Sequence, residues 1–302
     1  MEKQFKEQPL VSVIMNCYNG ATYLDSSIKS VLSQTYKNWE LIFWDNKSED
    51  ESAKIFKHYK DKRLKYFYAK EHTSLYKARN LAIKETSGEL LAFIDTDDLW
   101  HKEKLEIQVP FFKDKKISLV YCNQWIIKKN LEKKKIFIKK KSPSGFIYEK
   151  LLEDYNVGII AAIFRKNIIN KTLHVFDERF SIIGDFDFFL KLSKSHYFQY
   201  VSRPLAYYRI HHSNLSSVFD DKQMNEWNIW FNENKDKIIY KKLNKLKIKV
   251  NFRRLLYFKF QKNYKSCFKI LFKNYKSITF FKMVIITLMP LYILKKLSWF
   301  HL

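Results

Sequence analysis

Glycine is scarce in this chain: 302 residues contain five, Gly20, Gly88, Gly145, Gly158 and Gly184, and they are scattered. Neither the glycine-rich dinucleotide fingerprint nor a Walker phosphate loop can be built from them, which argues against a dehydrogenase or a P-loop NTPase. Any phosphate must be held another way. Cysteine is equally sparse. Cys17, Cys122 and Cys267 form no CxxC pair, so neither a disulfide framework nor a zinc site is expected, which fits a reducing compartment. The first nine residues, Met1 to Pro9, contain no apolar h-region, so no secretory signal is visible. A bilayer span takes roughly 20 apolar residues. The run Ile278–Leu294 is short and is broken by Lys282 and Pro290, so it reads as interfacial or as packed on protein.

Acidic residues are missing from one end. Residues 237–302 hold 17 Lys and Arg and no Asp or Glu, whereas the remaining 39 basic and 31 acidic residues leave a net charge of +8. Most of the formal charge of +25 therefore belongs to the C-terminal segment. Such a segment suits an anionic membrane or nucleic acid. The adjoining apolar run, which an RNA binder does not need, favours the membrane.

The chain is 46% hydrophobic and 17% aromatic, enough to fill a sizeable core. Apolar runs at Leu10–Met15, Trp39–Trp44, Leu64–Tyr68, Leu90–Ile94 and Ile117–Cys122 have the character of buried strands. Between them, Tyr23–Leu32, Ser52–Tyr59, Tyr76–Glu85 and Lys102–Phe112 have helical spacing. This alternation predicts an α/β fold with a mostly parallel sheet flanked by helices. Polar clusters follow the first, second and fourth strands, and ligands bind beyond such strand ends.

The fourth cluster, Asp95-Thr96-Asp97-Asp98, puts three carboxylates into four positions. They repel one another unless a cation or solvent compensates. A hard divalent ion shared with substrate phosphates is one reading. A solvated acidic loop is the other. Asp45, at the end of the second strand, suits either hydrogen bonding to a pyrimidine N3–H or a helix cap. Arg79, in an apolar helical context, needs a partner, which is either a nucleotide or a local carboxylate.

Taken in order, Cys17-Tyr18-Asn19, Gln34-Thr35-Tyr36, Asp45-Asn46-Lys47-Ser48-Glu49-Asp50, Ala78-Arg79-Asn80, Gly88 and Asp95-Thr96-Asp97-Asp98 resemble the motif series of the family 2 glycosyltransferases of GT-A (Rossmann-like) fold. The resemblance spans roughly residues 10–100. Each motif is weak alone, but their order and spacing are specific. The resemblance implies an inverting transferase that uses a nucleotide-diphosphate sugar, UDP- or dTDP-type, with Mn2+ or Mg2+. It implies that Tyr18, Asn19, Asp45 and Arg79 bind the nucleotide sugar. Asp97 is the first metal ligand expected, Asp95 serves the ribose or the metal, and Asp98 orients both. One departure stands out: Asn46-Lys47 replaces the usual Asp-Gly.

Further along, Gly184-Asp185-Phe186-Asp187-Phe188 resembles the family's Glu-Asp-x-Asp-Leu pattern, with Gly184 in place of Glu. Asp185 matches the catalytic base, although the residues alone allow a helix cap. Tyr208-Arg209-Ile210-His211-His212 resembles a late segment near the diphosphate and metal. His211 matches, and at most one of the adjacent histidines can face a site. The expected layout is a catalytic domain over 1–219 and a basic helical membrane-associating region over 220–302. The nucleotide-sugar half of the catalytic domain spans about 9–123 and the acceptor half about 124–219. The expected acceptor is a glycan or lipid-linked glycan of surface polysaccharide synthesis, at the inner face of the cell membrane. Two other readings compete: a basic nucleic-acid-binding protein, and another Asp-metal nucleotidyl-transfer enzyme.

Overall fold

In the computed structural model, the first apolar run forms β1 (Val11–Cys17), whose side chains are almost all buried. The structure describes residues 8–128, 134–138, 141–169, 175–211, 214, 221–275, 277 and 279–298. Fully burying a large aliphatic or aromatic side chain contributes roughly 1.5–3 kcal/mol. That explains why continuous apolar runs, rather than alternating ones, sit at the sheet centre. Two compact units adjoin in sequence between residues 211 and 212.

In the first unit β1 is followed by α1 (Ala21–Leu32), β2 (Trp39–Asp45), α2 (Ser52–His58), β3 (Leu64–Tyr68), α3 (Leu75–Lys84) and β4 (Leu90–Phe93). Strands β3, β2, β1 and β4 are mutually parallel. Cys17 stands opposite Asp45 and Asp45 opposite Tyr68, so the polar clusters after β1 and β2 emerge side by side. Gly88 permits the entry to β4, because a Cβ there would lie 2.6 Å from the Leu10 carbonyl oxygen.

Beyond β4 the order changes. The chain forms β5 (Leu99–Trp100), α4 (Lys104–Gln108), β6 (Ile117–Ile127), β7 (Lys134–Ile136), α5 (Tyr148–Glu153), β8 (Ala162–Arg165), α6 (Gly184–Leu192) and β9 (Tyr197–Arg209). The sheet order among the described residues is β3-β2-β1-β4-β8-β6-β9-β5, with β7 on β6. β8 runs antiparallel to both β4 and β6, while β6 and β9 are parallel. The parallel character is thus concentrated in the first half. The apolar stretch Val157–Phe164 contains a 3-10 turn and enters β8. The register of β9 shifts at Pro204, where a proline cannot donate to the ladder. Of the charge run Lys128–Lys135, residues 129–133 lie outside the described residues.

Two-residue β5 was not anticipated from sequence. It pairs antiparallel with β9, Leu99 opposite Tyr207 and Trp100 opposite Ala206. This pairing carries the loop 95–98 towards residues 209–211.

The second unit is helical: α7 (Asp221–Asn234), α8 (Tyr240–Phe260), α9 (Tyr264–Lys273), α10 (Phe280–Leu288) and α11 (Leu291–Ser298). Lys262, at φ 57°, breaks the chain between α8 and α9, and Asn263 then caps α9 by accepting from the Ser266 N–H at 3.1 Å. Leu255, Ile270, Leu271 and Met283 form a small core across α8, α9 and α10. Among the described residues no helix is long and apolar enough to cross a membrane. Trp299 and the C-terminal residues after it lie outside the described residues.

One buried charge in the first unit is costly. Lys104 is fully buried, its Nζ has no hydrogen-bond partner, and it lies 4.4 Å from the Trp100 ring centroid. Burial pushes its ammonium from the ordinary 10.5 down to about 8. Between these values the unfolded chain binds more protons than the folded one, so stability rises with pH across that window. Below it the full penalty applies, about 3 kcal/mol by the usual conversion. Lys104→Met is expected to raise stability at neutral pH and to flatten the rise above pH about 8. Denaturant titrations across that window check this, and an unchanged pH slope would contradict it.

Candidate active site

The three clustered carboxylates are held from two places, α3 and the end of β9. Asp95 accepts from Arg79 Nη2 at 2.6 Å, and the Arg79 side chain is only 3% exposed while that of Asp95 is 32% exposed. Arg79 comes from α3, where its guanidinium also lies near the Tyr76 and Phe93 rings. A buried guanidinium that lost its carboxylate would be strongly destabilising. Asp97 Oδ2 lies 2.8 Å from His211 Nε2, and its backbone carbonyl accepts from Arg209 Nε at 2.7 Å. Burial first, and then the charge of Asp95, raise the Asp97 pKa above the usual carboxylate range. Asp98 is buried; Oδ1 accepts from the Arg209 N–H at 2.7 Å and Oδ2 has no hydrogen-bond partner. Its pKa is pushed well up, by burial first and then by Asp97 and Asp95.

The donor set here is carboxylate plus imidazole. Among the described residues no group of three His, Cys, Asp or Glu is arranged to hold a metal. Asp97 and His211 are in contact, however, and Asp95 acts electrostatically on Asp97. Mg2+-type sites commonly use one or two protein ligands and complete their shell with water and substrate phosphates. The crowded, desolvated carboxylates fit such an ion. His212 lies outside the described residues.

At the end of β2, Asp45 Oδ1 accepts from the Ser48 N–H at 2.7 Å and Oδ2 from the Tyr66 hydroxyl at 2.7 Å. Both oxygens are engaged and the residue is fully buried. Asp45 therefore shapes the turn rather than capping α2, whose first residue is Ser52. Asn19, at φ 52°, locks the neighbouring turn: its N–H donates to Ser48 Oγ and its Oδ1 accepts from the Glu49 N–H. Tyr18 is 52% exposed, with its ring 4.1 Å from that of His72.

The Asn46-Lys47 departure has a local account. Lys47 takes φ 72°, the left-handed region in which glycine is at ease. Asn46 donates to the Thr73 carbonyl at 2.8 Å and accepts from Thr73 Oγ1 at 3.1 Å. An amide provides both roles, whereas an ionised carboxylate cannot donate.

Asp185 begins α6. Its Oδ1 accepts from the Phe186 N–H at 2.8 Å and the Tyr76 hydroxyl at 3.1 Å, and its Oδ2 from the Tyr155 hydroxyl at 3.3 Å. Burial raises its pKa, while Arg79 and these hydrogen bonds oppose the rise. The carboxylate thus has increased proton affinity and two hydroxyls that orient it. Asn80 ties the approach to α6, exchanging hydrogen bonds with the Phe176 backbone at 2.8 and 2.9 Å. The Ala78-Arg79-Asn80 motif on α3 therefore serves both the acidic cluster and Asp185. Asp187 is paired with Lys191 on its own helix.

Tyr76 and Tyr155 escaped the sequence reading. Tyr76 is 109 residues from Asp185, and no local spacing connects them. The one available signal was the missing Glu. A Cβ on Gly184 would lie 2.6 Å from the Tyr76 ring, so the ring takes the space that a side chain at 184 requires. Gly184→Glu should destabilise by about 1–3 kcal/mol through overpacking, and Tyr76→Ala in the same chain should restore much of the stability. Melting curves of the single and double variants test this. Additive losses would show that the two positions do not compete for space.

The sequence profile described as Glycosyl transferase family 2 matches residues 12–171. The chain is 31% identical over 239 residues to the Escherichia coli protein named UDP-Glc:alpha-D-GlcNAc-diphosphoundecaprenol beta-1,3-glucosyltransferase WfgD, covering 78% of this chain and 91% of WfgD. It is 27% identical over 242 residues to the putative teichuronic acid biosynthesis glycosyltransferase TuaG of Bacillus subtilis (strain 168), covering 79% of this chain and 90% of TuaG. Among solved structures, S. aureus TarS 1-349 in complex with UDP-GlcNAc superposes with a TM-score of 0.61 at 17% identity, covering 86% of this chain and 80% of that one. The mannosyltransferase PcManGT from Pyrobaculum calidifontis, in complex with GDP-Man and Mn2+, gives 0.60 at 15% identity, covering 89% and 76%. These last two likenesses concern the fold, which is GT-A.

Proposed function

Because the chain belongs to glycosyl transferase family 2, we propose that this glycosyltransferase moves a sugar with inversion from a UDP- or dTDP-type donor to a lipid-linked glycan in surface polysaccharide synthesis. The observation that carries the mechanism is Asp185, whose carboxylate is oriented by Tyr76 and Tyr155 and has raised proton affinity. Asp185 takes the proton of the acceptor hydroxyl as that oxygen attacks the anomeric carbon. The bond from that carbon to the diphosphate oxygen breaks as the new glycosidic bond forms. A single displacement inverts the centre.

Asp97 and His211 would hold Mn2+ or Mg2+, with Asp95 contributing. When bound, the ion neutralises charge on the leaving diphosphate. Arg79 holds Asp95 in place, and Arg209 fixes the backbone of Asp97 and the carboxylate of Asp98. At the base end, Tyr18 offers an exposed ring. Asp45 is fully buried, so meeting the pyrimidine N3–H requires the turn at Ser48 to move aside; each of its oxygens keeps a lone pair for that bond. The uridine preference draws support from WfgD, a relative named for UDP-Glc, and the lipid-linked acceptor from the diphosphoundecaprenol in the same name. On this reading residues 1–219 are the catalytic domain, and 220–302 associate with the anionic inner face of the cell membrane. Nucleic acid is not a partner.

Asp185→Asn is expected to retain donor affinity and lose transfer by at least about 100-fold, since a general base acts in the transition state. Binding isotherms and turnover measured on one preparation separate these effects, and near-normal turnover would make Asp185 a mere cap. With Mn2+ present, UDP should bind more tightly than ADP. Excess chelator or Asp97→Ala should abolish transfer. Calorimetry with both nucleotides, together with a chelator titration, decides this. Equal nucleotide affinities would remove Asp45 from the base site, and full activity in chelator would remove the metal.

A further inference from the structure

The helical unit contains a cleft that the transfer chemistry does not use. Its volume is about 310 Å³, within the roughly 300–1,000 Å³ of small-ligand pockets. It opens among α7, α8 and α9. Lys247, Arg254, Lys269 and Lys273 line it, with Asn228 and Asn251 as further hydrogen-bonding groups, and none of its lining residues is a carboxylate. Four cations gathered around one cavity repel one another, and this is tolerable in water but costly unless an anion joins them. Arg254 pairs with Asp221 at 2.9 Å, and the Asp221 side chain is 93% exposed. The Arg254 Nε is buried and has no hydrogen-bond partner. A guanidinium with an unspent donor beside flexible ammonium groups is phosphate-binding chemistry.

The surroundings are apolar as well as basic. On α9, Phe268 and Phe272 are 47% and 76% exposed, and each immediately precedes a cleft lysine, Lys269 or Lys273. On α10, Phe281, Ile285 and Leu288 recur at helical spacing and are 78%, 58% and 72% exposed. Exposed apolar rows of this kind mark an interaction surface. A soluble phosphate would have no use for them. Basic side chains interleaved with exposed Phe and Leu are the composition of an interfacial segment on anionic lipid. No carboxylate occurs anywhere in residues 237–302 to oppose such a surface.

We propose that this cleft binds the headgroup phosphate of an anionic membrane phospholipid, while exposed aromatic and aliphatic side chains of α9 and α10 enter the acyl boundary. The inference rests on the membrane-side reading above and gives it a specific site. Arg254 and the cleft lysines hold the phosphate oxygens, and the unit docks at the surface without spanning the bilayer. Two attractive terms result, one weakened by salt and the other not.

The test compares two double variants of equal charge in the full chain. Lys269→Gln with Lys273→Gln removes two exposed cleft cations, and Lys237→Gln with Lys241→Gln removes two exposed cations outside it. Binding is measured by flotation with phosphatidylcholine vesicles with and without phosphatidylglycerol, and donor hydrolysis is measured on the same preparations. The cleft pair should weaken binding to the phosphatidylglycerol vesicles by roughly 25-fold, at about fivefold per lysine close to anionic lipid. The outer pair should cost several-fold less. Phe272→Ser should remove much of the binding that survives high salt. Donor hydrolysis should be unchanged throughout. Equal losses from the two pairs would mean diffuse attraction and no site. Binding only when a polyprenyl diphosphate is doped into phosphatidylcholine, or tighter binding to single-stranded RNA than to vesicles, would also overturn the proposal. Normal vesicle binding without any donor hydrolysis would instead count against the transferase mechanism and leave the cleft intact.

Discussion

Repulsion among Asp95, Asp97 and Asp98 is the constraint around which the catalytic unit is organised. Three carboxylates within four residues, two of them with raised proton affinity, need compensation from elsewhere in the chain. Arg79 supplies it from α3 for Asp95. His211 and Arg209 supply it from the end of β9 for Asp97 and Asp98. The short pairing of β5 with β9 makes the second compensation possible, because it brings the chain after Pro204 back beside the acidic loop. Without that pairing the loop would be the solvated acidic turn that its sequence equally allows.

Helix α3 joins the two halves of the site. Tyr76 touches Asp185, Arg79 holds Asp95, and Asn80 clamps the backbone leading into α6. A shift of this helix would therefore disturb the acidic cluster and Asp185 together. Placing such groups on a regular helix, rather than on loops, restricts their relative movement, which proximity effects in catalysis require. The departures from the family pattern follow the same logic. Gly184 makes room for Tyr76, and Asn46 supplies the donor by which its turn holds Thr73.

The C-terminal unit obeys different physics. One of its core clusters gathers Leu255, Ile270, Leu271 and Met283, while several of its large apolar side chains face outward. Burial within the unit leaves much apolar surface exposed, and the absence of Asp and Glu from residues 237–302 leaves most of its surface cations without an acidic neighbour in that stretch. Both features suit a unit completed by a surface outside the chain.

Local sequence determined the strand and helix alternation of residues 10–122, because continuous apolar runs and helical spacing report burial directly. The register shift at Pro204 has an equally local cause, since proline lacks an N–H. The positions of Asp45, Asp95, Asp97, Asp185 and His211 were identifiable from short motifs, but their partners were not. The tertiary structure alone decided that β8 runs against its neighbours and that β5 exists. It also decided that Arg79 meets Asp95, that His211 meets Asp97, and that Tyr76 and Tyr155 hold Asp185. Each of those contacts joins residues at least 16 apart. Periodicity reports which face of an element is buried, and it carries no information about which distant side chain will be packed against it.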